Sequence, residues 1–339
     1  MQKISVKTSS QSSNDDFCAI AMAQAGLRLS DLHDHAVVCI DGPIHRTSNS
    51  EIFHALVATT PLLHAAIKHC RVPYTMTPDS VGASEQFHAL EQVYRALAKG
   101  DPHFAVAAPL CLDRELATFV MSWIDGESVS KKMRRPTTFL NGTEWFSDIG
   151  AWLGTFHKAG PIRTQALRLD ERLAVIDDLY ASALPHASFA RALQLLQETA
   201  APLQNSATEV SWVHGDCKTD NFIIGEGRVY GIDMSIIHEN SVEFDIAQFL
   251  NNLNLMLSGP RYVYLLSLRS KLEKAFWSGY RSTGPAVSQA YLRWTRLLFA
   301  TSFWHTMLRE KSPTIRNRLL NGIFRKLTER LTRELALTQ

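Results

Sequence analysis

His214, Asp216, Asn221 and Asp233 lie in one short stretch, SWVHGDCKTDNFIIGEGRVYGIDMS, and their types suit one kind of chemistry. An amide oxygen and a carboxylate converging beside a second carboxylate make an oxygen-rich site of the kind that holds Mg²⁺, with substrate phosphates completing the shell. Such chemistry asks the protein for positioning and charge neutralisation. It needs metal ligands, a cation on the phosphates, and a carboxylate that orients or deprotonates an acceptor hydroxyl. All three are available in this chain.

The surrounding pattern says how these residues are positioned. Val210–Val213 reads as a buried strand feeding the loop 214–221. Phe222–Ile224 and Arg228–Ile232 read as two strands joined by Gly225-Glu226-Gly227, a tight hairpin signal. The residue before the first strand of a hairpin and the residue after the second share its open end, so Asn221 and Asp233 are expected as spatial neighbours. Asp220 is expected as a loop or cap aspartate, with a spare metal ligand as the alternative.

The motif H-G-D-x-x-x-x-N, then I-D, then D-I-A resembles the aminoglycoside phosphotransferase and choline kinase group of the protein-kinase-like fold. It is carried by His214-Gly215-Asp216, Asn221, Ile232-Asp233 and Asp245-Ile246-Ala247. The resemblance implies an α+β, two-lobed chain: a small antiparallel β-rich N-lobe over 31–124, after an N-terminal arm and short helix over 1–30, and a larger helical C-lobe over 125–339. It implies ATP and Mg²⁺ as cofactors, Asp216 as the catalytic carboxylate, and Asn221 and Asp233 as metal ligands. The catalytic loop is then 214–221 and the metal-binding hairpin 221–233. Asp245 would buttress that loop, and His214 would pack it and take no part as a base. Lys218 stands where eukaryotic-type protein kinases carry a lysine that can touch the transferring phosphate; the alternative is a solvated loop lysine.

The N-terminal half agrees in outline. Three short strands, Val37–Ile40, Ile52–Ala58 and Leu63–His69, suit an antiparallel meander, and Gly82–Leu97 has helical apolar spacing with Ser84 placed to cap it. The third strand contains Lys68, as expected of the lysine that reaches the α- and β-phosphates of ATP. Such a lysine normally pairs with a helix glutamate: Glu85 is favoured and Glu91 is the fallback. The loop 41–50 has no G-x-G-x-x-G, so backbone N–H groups around Thr47, Ser48, Asn49 and Ser50 would have to cradle the phosphates. Two more β-type runs, Phe104–Leu110 and Thr118–Ile124, follow. Thr118–Ile124 resembles the strand entering the hinge of such kinases, with the backbone of Ser122, Trp123 and Ile124 offering hydrogen bonds to adenine; Met121 and Trp123 are candidates to line the nucleotide pocket, with ordinary core packing as the alternative.

Beyond Asp125-Gly126 the chain reads as helical: Thr143–Lys158, Asp170–Tyr180, Ser188–Thr199, and a long stretch from Glu243 onward. The last helix, Thr314–Leu337, carries Ile315, Leu319, Ile323, Leu327, Leu331 and Leu335 at four-residue steps, the pattern of a core-docked amphipathic helix with a basic face.

Composition sets the limits. Of 339 residues, 45% are hydrophobic and 20% charged, which is ordinary for a globular protein and excludes disordered or fibrous classes. No run is long and apolar enough to span a bilayer. Five scattered cysteines without a C-x-x-C pair point to a reducing, cytoplasmic setting and away from disulfides or zinc. A formal net charge of +2 gives no reason to expect a nucleic-acid partner. That value is a cancellation, because residues 261–339 hold 15 Lys+Arg against 4 Asp+Glu. The basic C-terminal region therefore leaves peripheral contact with an anionic surface open. A kinase for polycationic aminoglycosides would present clustered carboxylates there, so a sugar-type or glycan hydroxyl is the first expectation for the acceptor, and an amino alcohol or aminoglycoside the second. A nucleotide-binding pseudokinase acting as a scaffold is the alternative class. A protein kinase is disfavoured, since Asp233 is followed by Met234-Ser235 and no D-F-G or A-P-E occurs.

Overall fold

The structure is a computed structural model; it describes residues 5–7, 38–57, 63–135, 142–181, 186–234, 238–259, 262, 267–309 and 314–337. Two compact units emerge, one formed by the described parts of 1–126 together with 225–236, the other by those of 127–224 and 237–339. The return of 225–236 to the first unit is a tertiary feature that local sequence pattern does not announce.

The first unit is built on a sheet of β1 (Ser5–Lys7), β2 (Val38–Arg46), β3 (Ser50–Val57), β4 (Leu63–Cys70), β6 (Pro109–Asp113) and β7 (Thr118–Ser122), in the order β1-β2-β3-β4-β7-β6. The meander read from the sequence is antiparallel, Ile52 facing Lys68 and Lys68 facing Phe119 in register. β4 is central, which is why six successive residues from Ala65 to Cys70 are buried. The arm expected over 1–30 lies outside the described residues except for Ser5–Lys7, which is a strand pairing in parallel with Cys39–Asp41. β5 (Phe104–Ala105) pairs in parallel with β12 (Arg228–Gly231).

Helix α1 (Ser80–Leu97) buries Ala83, Phe87, Leu90, Val93 and Leu97, a three-and-four spacing that gives one apolar stripe. It starts two residues earlier than expected because Asp79, not Ser84, is the cap: its carboxylate accepts the Gly82 N–H at 2.9 Å. Ser84 is inside the helix, donating to the Ser80 carbonyl.

The second unit contains β8 (Glu127–Ser128) with α2 (Val129–Met133), α3 (Gly142–Ala159), β9 (Arg163–Ala166), α4 (Asp170–Ala181), α5 (Ala187–Glu198), β10 (Ala207–Val213), a 3₁₀ turn at Thr219–Asn221, β11 (Phe222–Gly225), β13 (His238–Ser241), α6 (Glu243–Leu257), α7 (Leu268–Thr283), α8 (Gln289–Leu308) and α9 (Ile315–Ala336). β9, β10 and β13 form an antiparallel sheet. Neither RTQA nor HENS has apolar alternation, so β9 and β13 carry no strand signal of their own; both are recruited by the apolar β10 between them.

Two cores hold this unit. Trp152, Phe156, Phe222, Phe249, Phe276 and Tyr280 pack α3, α6 and α7 around the root of the 214–221 loop. Phe189, Leu193, Leu196, Trp294, Trp304, Leu327 and Leu331 join α5, α8 and α9. α9 docks through Phe324, Leu327, Leu331 and Leu335, whereas Ile315 and Leu319 are 79% and 65% exposed. A four-residue step overshoots one helical turn by about 40°, so an apolar row at that spacing winds off the core over several turns. Among the described residues no helix is long and apolar enough to cross a membrane.

Candidate active site

In the second unit, β10 delivers the chain into the 214–221 loop, and α6 holds the loop in place. Asp245 accepts the His214 N–H at 2.6 Å on Oδ2 and the Gly215 N–H at 3.0 Å on Oδ1. Gln248 accepts the Cys217 N–H at 2.9 Å and donates back to the Gly215 carbonyl. Asn252 accepts both the N–H and the hydroxyl of Thr219. Residues 245, 248 and 252 share one helical face. A single face of α6 therefore satisfies an irregular loop that would otherwise leave buried donors unpaired. Gly215 has φ of +80°, a conformation that the loop's sharp turn requires and that side chains resist.

The buttress is itself buried. Asp245 also meets His157 Nε2 at 3.1 Å, and His157 Nδ1 lies 2.9 Å from the Tyr280 hydroxyl. Burial by itself would raise the Asp245 carboxyl, but the hydrogen bonds and charge of His157, with those of His214, hold it below its ordinary value. Glu243, two residues earlier, goes the other way: burial outweighs the bonds it accepts from Ser288 and Thr208, and its carboxyl is raised. His214 is 1% exposed and packs against Trp152 and Phe222, as a packing residue should.

The loop brings Asp216, Lys218 and Asn221 together. Lys218 Nζ reaches Asp216 Oδ2 at 2.5 Å, and Asn221 Nδ2 donates to the Asp216 carbonyl and Oδ2 at 2.8 and 3.1 Å. With its NH₂ spent on Asp216, Asn221 retains Oδ1, the one atom of that side chain able to ligate a metal. Asp216 keeps 47% of its side-chain exposure and is open to a solute. Asp220 accepts a hydrogen bond from Ser130 and thereby ties the loop to α2.

In the first unit the salient contact is Lys68 Nζ to Asp233 Oδ1 at 2.7 Å. Asp233 has φ of +63°, which costs about 1 kcal/mol or more for a non-glycine residue and is found where a side chain must be aimed. Glu226 and Gly227, the turn ahead of β12, have φ of 51° and 70°, the paired left-handed geometry that the Gly-Glu-Gly signal announces. Lys68 and Asp233 line a small cavity, about 40 Å³, with Met121, Phe119 and Gln86.

Three expectations change here. Glu85 is exposed on the first turns of α1, and Glu91 pairs with Arg95, so the carboxylate that Lys68 meets is Asp233. The α1 residue on the Lys68 cavity is Gln86, one position beyond Glu85 and about 100° around the helix. Its Oε1 is buried with no hydrogen-bond partner among the described residues. The N–H groups of Asn49 and Ser50, expected on phosphate, turn inward onto Thr47 Oγ1 at 3.4 and 3.0 Å, because the hydroxyl closes the β2–β3 loop on itself. Ser48 contributes its carbonyl to the Tyr74 N–H. In the expected hinge, the Ser122 and Trp123 N–H groups are committed to the carbonyls of Ala108 and His64, which leaves Ile124 as the backbone donor beyond the sheet.

Sequence reasoning missed His157, Gln248, Asn252 and Gln86. The three-and-four spacing of Asp245, Gln248 and Asn252 was the available signal for two of them. Buried thiols do not enter the chemistry: Cys217 is pushed well up and Cys70 up to about 11, in both cases chiefly by burial.

No functionally curated protein matches the sequence. Among solved structures, the chain is similar to the amicoumacin kinase hAmiN in complex with AMP-PNP, Ca²⁺ and Ami, with a TM-score of 0.58 at 15% identity over 93% of this chain and 96% of that one. It is also similar to a thermostable mutant of the aminoglycoside phosphotransferase APH(4)-Ia in ternary complex with ADP and hygromycin B (TM-score 0.57, 11% identity, 91% and 98% covered). A third is the choline kinase LicA from Streptococcus pneumoniae (TM-score 0.52, 16% identity, 93% and 98% covered). At these identities the likeness shows the kinase-like fold. The model of the phosphotransferase enzyme family, APH, matches residues 71–260, more than half of the chain and inclusive of the whole 214–245 motif set. The chain belongs to the phosphotransferase enzyme family.

Proposed function

We propose that this protein transfers the γ-phosphate of ATP to a hydroxyl of a small molecule, with a sugar-type acceptor as the first candidate class and an amino alcohol or aminoglycoside as the second. The observation that supports it best is the loop held by α6, which presents a half-exposed Asp216 with Lys218 and Asn221 against it.

In this reading Asp216 orients the acceptor hydroxyl and takes its proton, Lys218 meets charge on the transferring phosphoryl group, and Lys68 binds the nucleotide phosphates. Asn221 Oδ1 and Asp233 would hold Mg²⁺; both are the hard oxygen donors that ion prefers. When bound, the ion neutralises phosphate charge. Ile124 is the backbone candidate for adenine, and Met121 the side chain beside it.

The test is ATP consumption by purified protein with Mg²⁺ across sugars, amino alcohols and aminoglycosides, beside Asp216→Asn. At least one acceptor should stimulate turnover in the wild type and not in the variant. Equal inertness of both across the panel, with ATP still bound, would favour a nucleotide-binding scaffold instead.

A further inference from the structure

α9, the end of α6 and the start of α7 line an open cavity of about 660 Å³ that the reaction above does not use. Six cations line it: Arg269 from α7, and Arg318, Arg325, Lys326, Arg330 and Arg333 from α9, with Glu329 as the lining carboxylate. On α9 the lining positions 318, 322, 325, 326, 329, 330 and 333 fall on one face of the helix. The opposite side, with Phe324, Leu331 and Leu335, is buried in the core, so the cationic face has a fixed direction.

The cavity is separate from the 214–221 loop. Asn254 of α6 and its C-cap Ser258 line it, whereas Asn252 and Met256 of the same helix meet Thr219. Helical residues two apart point about 200° away from each other. The loop and the cavity therefore flank α6 on opposite sides.

Its charges are only partly compensated. Arg330 donates to Asn254 Oδ1 at 2.8 Å and lies 3.2 Å from Glu334, and Arg325 lies 3.9 Å from Glu329, which also accepts from Ser188. Among the described residues Arg269, Arg318, Lys326 and Arg333 have no carboxylate partner. Burial, then the neighbouring charges of Arg269 and Arg296, push Arg330 down to about 10 despite Glu334. It remains charged near neutral pH while its surroundings oppose that charge, a strain that a bound anion would relieve. Gly322 faces the same space, with no atom within 4 Å of where a Cβ would stand. A mid-helix glycine costs about 1 kcal/mol relative to alanine, so here helix stability is given up where the cavity wall is open.

We propose that this cavity is a binding site for a compact small molecule bearing more than one phosphate-type charge. Five of the six cations are arginines, whose planar forks pair two-to-two with phosphate oxygens. The volume falls in the range of small-molecule pockets, roughly 300–1,000 Å³. The sequence tally of 15 basic to 4 acidic residues beyond position 260 thus has a structural focus that is concave and not a flat basic surface.

Inorganic pyrophosphate, titrated calorimetrically into the full chain and into three variants, tests the site. Lys68→Ala, which removes the phosphate-binding lysine of the proposed nucleotide site, should retain one saturable, salt-sensitive site. Gly322→Glu should weaken that site at least ~10-fold by placing a carboxylate among the arginines. Gly322→Ala should bind within about twofold of the wild type, and both Gly322 variants should melt no lower than wild type because the helix gains propensity. Pyrophosphate binding that is unchanged in Gly322→Glu, or that vanishes in Lys68→Ala, overturns the proposal. So does sedimentation with phosphatidylserine vesicles in the absence of any pyrophosphate binding, which would make the basic face a membrane contact. None of these outcomes depends on whether the chain turns over ATP.

Discussion

Lys68 Nζ and Asp233 Oδ1 are 2.7 Å apart although 165 residues separate them in sequence. Lys68 has 7% of its side chain exposed and Asp233 44%. The lysine sits inside the sheet and the carboxylate faces outward. Each neutralises the group that the proposed reaction would turn toward a phosphate or a metal ion. Ligand binding must replace this pair by better ones, and the chain's own residues set that cost.

Lys68→Met should lower kcat/KM for ATP by ~10²–10³-fold, the loss typical of one positioned charge at a phosphoryl site. Because Asp233 is solvated, the stability change should be within about 1 kcal/mol. Steady-state kinetics beside thermal denaturation check this; a variant with unaltered kcat/KM would remove Lys68 from the site. Asp233→Ala should abolish Mg-ATP turnover with the fold retained.

Gln86 has a different signature. Its Oε1 is buried and unpartnered on the Lys68 cavity, which suits an acceptor waiting for the lysine once Asp233 engages a metal. Gln86→Leu should raise KM for ATP about fivefold and change kcat little. It should also leave stability unchanged or raise it by ~1 kcal/mol, since an unsatisfied polar atom is removed. A fall in melting temperature with unchanged KM would make Gln86 merely structural.

Asp245 and Glu243 should give opposite pH signatures. The Asp245 carboxyl is lowered in the folded chain, so its stabilisation is present above the unfolded value near 3.8 and disappears as pH falls through the lower folded value. The Glu243 carboxyl is raised, so its ionisation costs stability as pH climbs from about 4.5 to the higher folded value. Asp245→Asn should destabilise by ~3–5 kcal/mol at pH 7, because an amide cannot accept all of the donors that surround it. Glu243→Gln should flatten the stability curve above pH 4.5. Denaturant unfolding from about pH 2 to pH 8 reads both, because the Asp245 window lies below 3.8 and the Glu243 window above 4.5, and identical curves for wild type and Glu243→Gln would refute the second.

Gly279→Ala should be poorly tolerated. A Cβ at Gly279 would stand 1.8 Å from the Ser147 carbonyl oxygen, and one at Gly150 2.1 Å from that of Phe276, so α3 and α7 touch backbone to backbone. Backbone cannot swing aside as a side chain does, and a loss of at least ~3 kcal/mol is expected. A thermal melt within a few degrees of wild type would contradict the close approach.

Residue types and their spacing are enough to mark the motif set and the elements that carry it. His214, Asp216, Asn221, Asp233 and Asp245 are legible because an irregular loop, a tight turn and a helix start each restrict residue type locally. The β2–β4 meander and the helix over 82–97 follow from apolar spacing, while the helix's true start at Ser80 is set by the Asp79 cap. Tertiary structure decided the partners. Whether Glu85, Glu91 or another residue meets Lys68 depends on the rotation of α1 about its axis, which packing of Phe87 and Leu90 sets and which turns Gln86 to the cavity. Whether Asn49 and Ser50 offer their N–H groups depends on where the Thr47 hydroxyl points. Polar strands such as β9 and β13 exist only because β10 offers them an edge. The basic C-terminal charge was countable from sequence, but its concave arrangement was not, since α9 leaves its four-residue apolar row partway and the core fixes which face turns inward.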